Sequence, residues 1–239
     1  MGIVLIGLDD TDNQDSPGTG NLARRIFGEC DRRGIRAVSV TRHQFLVDPR
    51  IPYTSHNSGA CVTVVSDDGP AAVAFVFDYV ARASAEGSDP GVGVACLDAV
   101  PGFVRDFGHR ATQEVLEMSE ALATADEARI DLRALGGSGQ GVIGALGSIG
   151  LRADGNEGRF IQIPGLRALS GRVAADDLVR LGIHLDHRSG RQPTPDDAYE
   201  TLGWIRPRLS GGQPVLPVEW NEVRHAWFPV DTKRSRPLE

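Results

Sequence analysis

Residues 3–33 set the terms for the chain: an apolar run, Ile3-Val4-Leu5-Ile6, breaks at Gly7 into a carboxylate-rich loop that leads into an amphipathic helix. A buried strand handing over to a helix in this way is the opening unit of an α/β fold. In open α/β sheets, ligands gather outside the carboxyl ends of strands, where a helix N-terminus offers free N–H groups to anions. Asp9, Asp10 and Asp12 crowd into that position. Carboxylates beside an anion site are reconciled by a divalent cation, as Mg²⁺ joins carboxylates to nucleotide phosphates. Extended backbone would aim Asp10 and Asp12 to one side and Asp9 to the other. One pair would then hold a metal while the third carboxylate positions a hydroxyl. An Asx-type turn is the alternative explanation of Asp and Asn here, although a turn does not need three mutually repelling carboxylates.

The alternation continues downstream. Residues 3–8 read as a buried strand and 19–33 as a helix with apolar Leu22, Ala23, Ile26 and Phe27, and Thr19 is placed as its N-cap. Ile35–Val40, Gln44–Val47, Ala60–Val65 and Gly91–Leu97 read as strands, and Pro70–Ala85 as a helix. Pro101–Arg133 reads as an interrupted helical stretch. A glycine-rich loop, Gly136–Gly141, then opens a helix of small residues, whose own glycines (Gly144, Gly147, Gly150) indicate close packing. Arg159–Pro164 reads as a strand, Ala174–Leu181 as a short helix, and Val215–Trp220 with Val223–Pro229 as a hairpin.

Composition narrows the chemistry. Of 25 Lys plus Arg, Lys233 alone is lysine, so phosphate handling falls to Arg, backbone N–H groups and metal. The formal charge of −7 and the absence of a Lys/Arg-rich run before Lys233–Arg236 argue against a free-standing nucleic-acid binder. Cys30, Cys61 and Cys96 form no Cys-x-x-Cys pair, which excludes a zinc ribbon built from these residues and fits buried small hydrophobes. With no 18-residue apolar run and no signal-like start, the expected location is the cytoplasm.

Two further loops could serve a site. Gly136–Gly141 would let backbone approach a ligand and present N–H groups to phosphate, or could be a flexible connector; it has neither the dinucleotide spacing nor a Walker lysine. Arg50–Gly59, stiffened by Pro49 and Pro52, carries Tyr53, Thr54, His56 and Asn57, which could read a base or other polar substrate. His43 reads as structural.

The strings GLDDTDNQDSPGTGNLA, IPYTSHNSGACVTV, GSDPGVGVAC and GGSGQGVIGALGSIG, taken in order, resemble the archaeal isoleucine-tRNA 2-agmatinylcytidine synthetase family (TiaS). The resemblance is strong to about Gly150 and thin after it. It implies an α+β (α/β) fold in which a kinase-like α/β lobe interlocks with a ferredoxin-like lobe. Residues 1–150 would carry the ATP-binding region and 151–239 would complete the lobes, with no separate OB or zinc domain. The family joins agmatine to carbon 2 of a tRNA cytidine after activating that position with ATP. By resemblance, Asp9, Asp10 and Asp12 would bind Mg²⁺ and ATP phosphates or orient the nucleophile, and Thr19 matches a threonine the family can phosphorylate. Gly7, Thr11 and Gly18, with Gly137, Ser138, Gly139 and Gly141, would line the nucleotide cleft, and Tyr53, His56 and Asn57 would meet the acceptor. Thr54 and Gln140 stand where the family has a lysine and an arginine. The expectation is therefore an ATP- and Mg²⁺-dependent ligase or phosphotransferase acting on an oxygen of a nucleotide or small molecule, with possible attack by an amine such as agmatine. Two alternatives stand beside it: tRNA agmatinylation with a separate tRNA-binding partner, and a non-catalytic ATP sensor.

Overall fold

In the computed structural model, which describes residues 1–52 and 56–230, the chain is a mixed α/β protein built on one twelve-stranded sheet. Its first part contains β1 (Gly2–Asp9), α1 (Thr19–Arg32), β2 (Arg36–Gln44), β3 (Ser58–Ser66), α2 (Phe75–Ala83) and β4 (Gly91–Cys96). These strands lie in the order β4-β1-β3-β2, each antiparallel to its neighbours. Two helical crossovers threaded this way make the split βαβ, ferredoxin-like arrangement. Then follow α3 (Gly102–Ala111), α4 (Met118–Glu127), the edge strand β5 (Asp131–Ala134) on β4, and α5 (Gly141–Asp154).

The period-two pattern of β1 decides the layers. Val4, Ile6 and Leu8 join Leu22, Ile26, Val76 and Val80 in a core under α1 and α2. Leu5 points the other way, into a second core with Val104, Phe107, Leu146 and Ile149 from α3 and α5. The sheet is thus covered on both faces. Cys30 and Cys61 are buried and Cys96 partly so.

The last third adds β6 (Arg159–Gln162), β7 (Arg172–Ala174), α6 (Ala175–Val179), β8 (His184–His187), β9 (Ala198–Glu200), β10 (Arg208–Ser210), β11 (Gln213–Asn221) and β12 (Ala226–Pro229). The sheet continues from β2 through β6 and β10 to β11. A third core forms around fully buried Trp227 and Tyr199. There the Asp197 carboxylate accepts from Trp227 Nε1 (2.9 Å), Thr194 N (2.9 Å) and Arg191 (2.6 Å), which holds it well below the usual carboxylate range despite burial. Among the described residues no helix is long and apolar enough to cross a membrane.

Three sequence expectations are corrected. Gln44–Val47 is not a separate strand: β2 runs unbroken to Gln44, after which the Phe45 and Leu46 amides bond to Asn57 and Ala111 and the chain leaves the ladder. The helical stretch ends at Glu127, a left-handed Arg129 (φ 54°) turns the chain, and Asp131–Ala134 pairs with β4. Thr19 is the first helical residue of α1 and Gly18 its N-cap; the cap acceptor is the Asp12 carboxylate, which takes the Thr19 N–H at 3.0 Å.

Candidate active site

Antiparallel pairing brings the loops together. The register Leu8↔Ala60, Asp9↔Gly91 and Gly91↔Ala134 puts the ends of β1 and β5 at the same edge as the starts of β3 and β4. The acidic loop, the loop before β3, the loop before β4 and the start of α5 therefore meet there. Between them lies a cleft of about 820 Å³, its open mouth included. Asp9, Asp10 and Asp12 all line it, facing His56 and Asn57 from one loop and Gln140, Gly141 and Gly144 from α5 and the residue before it.

That convergence departs from the extended-strand expectation. Asp10 is left-handed (φ 51°), an uncommon conformation outside glycine that Asp tolerates better than most residues. The turn brings three carboxylates to one cleft instead of dividing them between two sides.

The electrostatics are strained in one direction. Burial, with repulsion from Asp10 and Asp12, pushes the Asp9 carboxyl up to about 7, although the Asp10 N–H opposes this. Burial and the charges of Asp89 and Asp12 push Asp10 up to about 6, against a stabilising N–H from Asp89. Asp9 is held against α5 at Gly144, where any Cβ would overlap its carboxylate. Asp12 instead serves the helix: its Oδ1 also accepts from the Thr19 hydroxyl (2.8 Å), and that hydroxyl accepts from Thr11 N (3.2 Å) and Thr11 Oγ1 (3.1 Å). Thr11 and Thr19 are buried.

The remaining sequence candidates divide. His56, Asn57 and Gly141 line the cleft. Asn57 also organises its own loop, donating from Nδ2 to the Leu46 carbonyl at 2.6 Å. Gly7 lies under α5, facing the Ala145 carbonyl, so its requirement is packing. Gly18 caps α1. Tyr53 and Thr54 lie outside the described residues.

The glycine loop holds an unforeseen partner. Gly137 (φ 58°) and Gly139 (φ 86°) curl the backbone so that the Ser138 and Gly139 N–H groups point at the Asp89 carboxylate. The Ser138 hydroxyl bonds the other oxygen at 2.5 Å, and the Gly141 N–H bonds the Asp89 carbonyl at 3.2 Å. Gly137, Ser138 and Gly139 thus form an anion nest that the Asp89 carboxylate of the same molecule occupies. The only sequence signal for Asp89 was its place before Pro90 and β4. Asp89→Ala is expected to leave these donors without their acceptor and to raise hydrogen exchange at Ser138 and Gly139 about tenfold, the equivalent of one lost hydrogen bond of about 1.4 kcal/mol. Unchanged exchange would show that the nest is held by the turn alone.

Among the described residues no three His, Cys, Asp or Glu side chains form a ready-made metal cage. The donors do suit Mg²⁺, which usually takes one or two carboxylates and fills its remaining positions with phosphates and water. Two carboxylates driven toward protonation by burial, and further by the charges of their neighbours, are what a cation would relieve.

No protein-family profile matches the chain. It is similar to the tRNA 2-agmatinylcytidine synthetase TiaS of Pyrococcus horikoshii, with 32% identity over 153 residues, 62% of this chain and 35% of that protein. The TiaS of Methanocorpusculum labreanum is 29% identical over 62% of this chain and 35% of its own length. A solved complex of TiaS with its isoleucine tRNA and ATP aligns with 27% identity and a TM-score of 0.55, over 63% of this chain and 36% of that one. A complex of TiaS with the same tRNA, AMPCPP and agmatine aligns with a TM-score of 0.54 and 25% identity, over 62% and 36%. The chain spans about a third of the length of the curated relatives it matches.

Proposed function

We propose that this chain, a relative of the tRNA 2-agmatinylcytidine synthetases over 62% of its length, is an ATP-using enzyme whose cleft activates an oxygen of a nucleotide acceptor, opening the acceptor carbon to an amine. The observation that carries the reading is the convergence of Asp9, Asp10 and Asp12 from one loop, and His56 and Asn57 from another, on the start of α5.

Phosphoryl or nucleotidyl transfer calls mainly for positioning and charge neutralisation. Asp9 and Asp10 would hold Mg²⁺, which when bound would offset phosphate charge during transfer. Asp9 is kept in place by the α5 backbone at Gly144, and Asp10 by its turn and the Asp89 N–H. Asp12 fixes Thr19 and the first turn of α1, which sets the shape of the acidic loop. His56 on the opposite wall would meet the acceptor. The acceptor oxygen would attack phosphorus and release ADP or pyrophosphate; the amine would then displace the activated oxygen.

The test is incubation with Mg²⁺ and α-labelled ATP, alone and with bulk tRNA plus agmatine, followed by resolution of the nucleotides. ADP or AMP formed only with tRNA and agmatine supports the relatives' chemistry in this chain. Turnover without them points to a different acceptor. Tight ATP binding with no product in either case overturns the enzyme reading and leaves a nucleotide sensor.

A further inference from the structure

The sheet face under α5 carries a polar seam inside an apolar core. On β3, Val62 and Val64 pack toward α1 and α2 while Cys61 packs toward α5. Thr63 therefore shares the α5 face, by the two-residue period of a strand. Val40 on β2 likewise turns to the α1 side and leaves Ser39 and Thr41 on the α5 side. Ser39 and Thr63 are direct partners in the β2–β3 register, which places their Cβ atoms about 5 Å apart. Arg152, in the last turn of α5, reaches down to them, and its Nε donates to Thr63 Oγ1 at 3.2 Å. All three are buried: Ser39 is 2%, Thr63 1% and Arg152 8% exposed.

Donors outnumber acceptors in this seam. The Ser39 hydroxyl is buried with no hydrogen-bond partner among the described residues. Thr63 accepts from Arg152 and keeps its own proton to donate. The Nη groups of Arg152 meet no acceptor among the described residues, and no carboxylate there pairs with the guanidinium. Its titratable neighbours supply no counter-charge. Burial pushes the Cys61 thiol up to about 12 and His43 down to about 3, so both are neutral at pH 7. The carbonyl end of α5 favours a cation, but with only about half an elementary charge. A buried charge without a partner is costly. One positive charge is balanced by one negative charge, whereas a divalent anion would leave the seam negative instead.

We propose that Ser39, Thr63 and Arg152 form a binding site for a small monovalent inorganic anion of the chloride class. None of the three lines the cleft, so the site stands independently of the ATP chemistry. The bound ion ties the last turn of α5 to β2 and β3, and the same helix backs Asp9 at Gly144.

The test compares thermal midpoints of the full chain in sodium chloride and sodium gluconate at matched ionic strength and pH 8, with the chlorine NMR line width as the direct measure of binding. Wild type should melt about 3–6 °C higher in chloride at roughly ten times the half-saturating concentration, and should broaden the chloride resonance. Bromide and nitrate should replace chloride, and sulfate should not. Ser39→Ala should raise the half-saturating concentration about tenfold, the equivalent of one hydrogen bond to a charged group. It should not lower the midpoint in gluconate, because the hydroxyl makes no bond within the described chain. Arg152→Met should abolish both responses; if it does not fold, Ser39→Ala decides the matter alone. Equal wild-type midpoints in the two salts, or a chloride response unchanged in Ser39→Ala, would overturn the proposal. A response to sulfate and not to chloride would overturn the monovalent assignment.

Discussion

Asp10→Asn is expected to lower ATP turnover by about 10²- to 10³-fold, the loss of several kcal/mol of metal-centred charge stabilisation, while making the protein harder to unfold. Asparagine keeps the preference for the left-handed turn that Asp10 occupies, which alanine would not. The amide removes a carboxyl that burial, Asp89 and Asp12 push up to about 6, and it relieves Asp9, pushed up to about 7. The sign follows from linkage. Both groups bind protons more tightly folded than unfolded, so wild-type stability falls as pH rises from about 4 to about 7 and levels off above. The variant should show a shallower fall and, at pH 8, a midpoint about 2–4 °C higher for each kcal/mol relieved. Mg²⁺ should stabilise wild type at pH 8 but not at pH 4, where both carboxyls are protonated, and the variant much less. Undiminished turnover in Asp10→Asn would remove Asp10 from the site. A wild-type midpoint insensitive to Mg²⁺ at pH 8 would remove the cation.

Residue types and short-range pattern carried the strand–loop–helix opening, the acidic cluster and the packing glycines of α5. Ile3–Leu8 shows its two faces in its alternation, and Asp9, Asp10 and Asp12 are informative because carboxylates do not crowd without cause. What pattern could not carry was register. The ferredoxin-like order β4-β1-β3-β2 depends on pairings between residues far apart in the chain, such as Val4 with Cys96. Only that register shows that the loop before β4 joins the site. Asp89 therefore read as an ordinary loop acid, although its carboxylate fills the glycine nest. Thr19 shows the opposite limit: the sequence placed it correctly at the start of α1, but the capping atom belongs to Asp12, seven residues earlier.

Gly7→Ala should be strongly damaging, and its effect should reach the cleft. A Cβ at position 7 would overlap the Ala145 carbonyl oxygen and stand 2.9 Å from Ile149 Cγ1. The first of these is helix backbone, so relief requires α5 to move as a body. That helix is held close on other sides, with Gly150 against the Val104 carbonyl and Gly141 against the start of β4. Overpacking of this kind costs about 3 kcal/mol or more, and a midpoint about 6–12 °C lower is expected for a chain of this size. Gly28→Ala is the matching control: it lies inside α1, its nearest neighbour would be Arg32 Nη1 at 3.8 Å, and helix propensity favours alanine by about 1 kcal/mol. Gly7 stands two residues before Asp9 on the same face of β1, and Asp9 rests on α5 at Gly144. A displaced α5 would therefore separate the carboxylate from its wall, and turnover should fall at temperatures where circular dichroism still reports a folded protein. If Gly7→Ala instead melts within about 2 °C of wild type, less than 1 kcal/mol for this size, α5 slides on the sheet. The wall behind Asp9 would then be adjustable, and the geometry that places its carboxylate in the cleft would not be fixed by packing.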